Sequence, residues 1–132
     1  MRTAPVLPGS NGTHLVEAGV DWDVVRVSRH LGLQALDRLD PGSLVVAPSR
    51  PDPALHFFVV AGSTYDWHVA QTSALRRAAF VLIPPADRLH PPGPYWLVPP
   101  GADGAINLTD LDVLRDALNE LLSALPDTRG SR

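Results

Sequence analysis

The chain has 132 residues, 45% of them hydrophobic, which is enough for one domain with its own core. Its net charge of −3 argues against strong non-specific nucleic-acid binding, and the absence of cysteine excludes disulfides and thiolate metal sites. No apolar run is long enough to span a bilayer, and Met1 to Gly9 lacks a charged segment followed by an apolar one, so no membrane association and a cytoplasmic location are expected.

Residues 1–19 read as an N-terminal arm rich in Pro, Gly and Ser, followed by one helical turn over Thr13 to Ala18 that Gly19 stops. Val20 to Val27 is dense in Val and Trp and reads as a strand. Ser28 is placed to cap a helix whose apolar positions are Leu31, Ala35, Leu36 and Leu39, and Asp40-Pro41-Gly42 ends it. Ser43 to Ala47 is a short strand. Leu55 to Ala61 is another, and its run Phe57-Phe58-Val59-Val60 marks it as central, because both of its faces are apolar. Ala61 to Thr72 gives no clear pattern. Ala78 to Ile83 and Tyr95 to Val98 read as strands, each followed by a proline pair. Thr109 is placed as the cap of a last helix, striped by Leu111, Leu114, Leu118, Leu121, Leu122 and Leu125 and stopped by Pro126. A domain over 20–126 and a tail over 127–132 follow. The order predicts an α+β fold, close to α/β, in which a mixed central sheet is covered by two main helices.

Asp21 and Asp23 stand two apart in the first long strand, so strand geometry would aim both at one face. Two carboxylates that close favour a cation between them, and Mg²⁺ takes oxygen ligands. The plainer alternative is that Asp21 ends a turn and Asp23 caps one or pairs with an Arg.

The order of motifs resembles the N-terminal prim-pol domain of bifunctional DNA primase/polymerases, in the archaeo-eukaryotic primase superfamily. Asp21-Trp22-Asp23 is similar to its Asp-hydrophobic-Asp strand. Ala54-Leu55-His56 falls where Ser-x-His belongs. Phe80 to Pro85 matches a strand ending in Pro-Pro, and His90-Pro91-Pro92-Gly93-Pro94-Tyr95-Trp96 matches its His-Pro-x-Gly segment with one residue fewer. The likeness covers residues 20 to 98. It looks closest to small, stand-alone, eroded versions of the domain found in actinobacteria; an all-Arg set of basic residues accords with a high-GC genome. The family's third Asp belongs near Ser73 to Arg77, and no carboxylate stands there.

The resemblance implies that Asp21, Asp23 and His56 would be the catalytic residues of a metal-dependent nucleotidyltransferase, with Asp21 and Asp23 holding Mg²⁺ or Mn²⁺ weakly. Without the third Asp the expectation is a non-catalytic module with a degenerate site and no required cofactor. It would bind a nucleotide, a nucleic-acid end or a protein partner. Trp67, His68, Arg76, Arg77 and His90 are the candidate ligand contacts.

Overall fold

The computed structural model describes residues 12–49 and 52–124. Most of the expected N-terminal arm, the tail over 127–132 and the end of the last helix at Leu125 and Pro126 lie outside the described residues. Within them the chain forms one small α+β domain. Its elements are β1 (His14–Glu17), β2 (Trp22–Ser28), α1 (Arg29–Ala35), β3 (Leu44–Ala47), β4 (Ala54–Val60), β5 (Thr72–Leu75), β6 (Phe80–Ile83), β7 (Tyr95–Val98) and α2 (Leu111–Ala124).

Five strands form the main sheet in the order β5-β2-β4-β3-β7, and β1 pairs with β6 in a separate two-stranded ribbon. Every pairing is antiparallel, so the mixture lies in having two sheets rather than in strand direction. β4 sits in the middle with Leu55 to Val59 buried on both faces, while Val60 at its end is 58% exposed.

Strand alternation splits the core in two. Val25, Val27, Leu55, Phe57 and Val59 pack with α1 and α2 through Leu31, Ala35, Leu114, Ala117, Leu118 and Leu121. Trp22, Val24, Val45, Phe58 and Trp96 pack on the opposite side with Val81 of the ribbon. The leucine stripe of α2 is therefore used against its own sheet. Among the described residues no helix is long and apolar enough to cross a membrane.

The helical turn expected over Thr13 to Ala18 is instead β1. Its His-Leu-Val-Glu segment finds a partner in residues 80–83, and a pairing some sixty-five residues away leaves no local signal. β5 starts at Thr72, where the unclear segment ends, and was not expected as a strand, because Thr72-Ser73-Ala74-Leu75 has no alternation. α1 is capped by the Ser28 hydroxyl, which accepts from Leu31 N–H at 3.3 Å. The cap of α2 is Asp110 rather than Thr109: its carboxylate accepts from Val113 N–H at 3.1 Å. Thr109 instead extends the sheet past the end of β3. Its N–H donates to Phe58 C=O at 2.7 Å, and its hydroxyl accepts from Gly42 N–H at 2.9 Å.

Candidate functional site

The expected cluster of Asp21, Asp23 and His56 does not form. Asp21 lies in the bend before β2, outside the strand, and is exposed, so the i, i+2 rule does not apply to it. Asp23 is inside the strand, opposite Val59, and shares its face with Val25 and Val27 beneath the helices. His56 is opposite Arg26 and shares its face with Phe58, toward the ribbon. The sheet itself separates Asp23 from His56. Asp23 and His56 therefore do not converge on one site, contrary to the joint active site that the primase resemblance implies. Among the described residues no group of three or more His, Asp or Glu is placed to hold a metal ion.

Asp23 is 0% exposed, and its Oδ2 accepts two hydrogen bonds from one residue. The Thr64 hydroxyl donates at 2.6 Å and the Thr64 N–H at 3.3 Å. Oδ1 is buried and has no hydrogen-bond partner among the described residues. Thr64 belongs to the turn 61–66 that leaves β4, so the carboxylate holds that turn from below. Thr64 C=O in turn accepts from Arg76 Nη1 and from Trp67 N–H, both at 3.0 Å.

The segment from residue 61 to 76 collects several of the expected ligand contacts. Trp67 is buried in the helix-side core, and its indole N–H donates to Thr72 Oγ1 at 2.8 Å. The Arg115 guanidinium lies 5.5 Å from the Trp67 ring centroid and 3.5 Å from Asp66 Oδ1, tying α2 to the segment. Tyr65 is 77% exposed, and His68 and Arg76 are exposed as well. Trp67 is thus a support and not a surface contact. Arg77 is exposed but points elsewhere: it meets Glu17 at 3.4 Å, joining the segment to the ribbon. His90 is an exposed residue of the loop between β6 and β7, outside this segment.

His56 is 7% exposed, with a buried Nδ1 that has no hydrogen-bond partner among the described residues. Burial, and to a lesser extent the Arg26 guanidinium, lowers its pKa from 6.5 to about 4. At neutral pH it is an uncharged core residue. Arg26 itself reaches away to the Ser49 hydroxyl.

Thr64, Tyr65 and Arg115 were not singled out from the sequence. Arg115 carried a signal, as the one basic residue within α2. Thr64 carried none, since its role depends on the strand that lies beneath it. No family model, curated protein or solved structure matches the chain.

Proposed function

We propose that the protein is a non-catalytic binding module that takes a nucleotide or the end of a nucleic acid on the outer surface of residues 61–76. The supporting observation is the Asp23–Thr64 clamp. A fully buried carboxylate is costly to keep, and an apolar residue in its place would often be at least as stable. Here it fixes the backbone directly beside an exposed aromatic, Tyr65, and an exposed cation, Arg76. An aromatic face stacks on a base, and a guanidinium pairs with phosphate oxygens. Arg76 spends one N–H on Thr64 and keeps the others for a ligand. Asp23 and His56 lie on opposite faces of the sheet, so these two do not form a pair for phosphoryl transfer.

The test is titration with a nucleoside triphosphate and with a short single-stranded oligonucleotide, each with and without EDTA, read by thermal shift. Saturable, metal-independent stabilisation without release of pyrophosphate is expected, and Tyr65→Ala and Arg76→Ala should abolish it. Turnover that Asp23→Ala abolishes, or no response to either ligand, would refute the reading. A protein partner is the second reading. It is favoured by Phe80, 57% exposed on β6, a strand with a neighbour on one side only among the described residues.

A further inference from the structure

We infer that the turn 61–66 is a latch that opens on its own, uncovering Asp23 while the sheet and both helices stay folded. This concerns the free protein and holds whether or not the surface binds a nucleotide.

The turn is bounded by two core residues, Val59 before it and Trp67 after it. Between them only Thr64 is buried, and it is polar. The turn therefore contributes no fully buried apolar side chain, and the hydrophobic burial its opening forfeits is limited to the half-buried Ala61. What holds it is polar: the Thr64 hydroxyl and N–H to Asp23, Arg76 and Trp67 N–H to Thr64 C=O, the Ser63 hydroxyl and N–H to Val60 C=O, the His68 ring to Asp66 C=O, and the 3.5 Å contact of Asp66 with Arg115. Each of these groups can exchange its partner for water at small net cost.

The closed state also carries a penalty that opening removes. Among the described residues Asp23 Oδ1 is buried without a partner, and hydration would satisfy it. Arg115 Nε is likewise buried without a hydrogen-bond partner among the described residues. A hinge is present at the front of the turn. Gly62 sits at φ +80°, a backbone conformation glycine adopts without strain, and it is open on its Cβ side, with nothing within 4 Å. At the far side Trp67 stays in the core, anchored to Thr72.

Native-state hydrogen exchange on the free, full chain tests this. The amides of Ser63, Thr64 and Trp67 should exchange through an opening at least about a hundredfold more frequent than the one that releases Val25 and Phe57. Thr64→Val, which removes the 2.6 Å bond to Asp23, should raise exchange at Ser63 and Trp67 by about tenfold and leave Val25 and Phe57 unchanged. The wild-type measurement stands even if the variant misfolds. Turn amides that exchange only with Phe57, at the same rate and denaturant dependence, would overturn the latch. So would a Thr64→Val effect spread evenly over the sheet.

Discussion

The two faces of the main sheet treat a buried ionisable group in opposite ways. Under the helices, Asp23 is fully buried yet keeps two hydrogen bonds from Thr64. Under the ribbon, His56 is nearly as buried, has an Nδ1 without a hydrogen-bond partner among the described residues and lies in register with a cation. One face uses its polar group to hold a surface turn. The other holds its histidine neutral by burial. Burial alone does not mark a functional group; what the group grips does.

The sharpest way to break this picture is to remove what covers the helix face. Leu114, Ala117, Leu118 and Leu121 of α2 close that core. A chain ending before Thr109 should show no cooperative melting. Leu118→Ala alone should cost about 2–5 kcal/mol in denaturant unfolding. A truncated chain that still melted cooperatively would mean the helix serves something other than this core.

The ribbon face answers to pH. His56 has a folded-state pKa below its unfolded value of 6.5, so the unfolded chain binds the proton more tightly. Its contribution is therefore constant above about pH 6.5, and stability falls as pH drops through 6.5 toward about 4. The full loss is on the order of 3 kcal/mol, at about 1.4 kcal/mol per pKa unit. Unfolding measured at pH 7 and pH 4.5 in wild type and His56→Leu should show this component only in the wild type. Equal slopes in the two proteins would remove His56 as its source.

How much of this was legible in the chain follows from the range of each interaction. β4 was readable as central because four consecutive apolar residues need cover on both sides, and Ser28 was readable as a cap because its partner, Leu31, is three residues on. β1 was not readable, because its strand partner among the described residues, β6, lies far along the chain. The site was legible as residue types and not as an arrangement. Spacing told that Asp21 and Asp23 could share a face, but not that β2 begins at Trp22. The opposite faces of Asp23 and His56 follow from register, which pairs Arg26 with His56, and register is a tertiary property.

Gly42 sharpens the same point at a backbone contact. A Cβ there would lie 2.3 Å from Asn107 O, a backbone atom with little room to move, since Asn107 O also accepts from Ser43 N–H at 2.9 Å. Gly42→Ala should cost about 1–3 kcal/mol in denaturant unfolding, in the range of overpacking changes. A neutral result would show that the 105–109 connection can shift away from β3.

The smallest expected effect separates the two carboxylates from which the site was first inferred. Asp21 is exposed in a bend, while Asp23 is buried and holds Thr64. Replacing Asp23 by Ala leaves the buried Thr64 hydroxyl and amide to find other acceptors, and should cost about 1–3 kcal/mol. Asp21→Ala disturbs no buried group and should change stability by less than about 0.5 kcal/mol. Chemical denaturation of both variants at pH 7 reads the difference. If the carboxylates acted together on a shared ligand, both variants would weaken binding of a triphosphate in the presence of Mg²⁺. With Asp23 facing inward and Asp21 outside the strand, the Asp21 variant should bind and unfold as the wild type does.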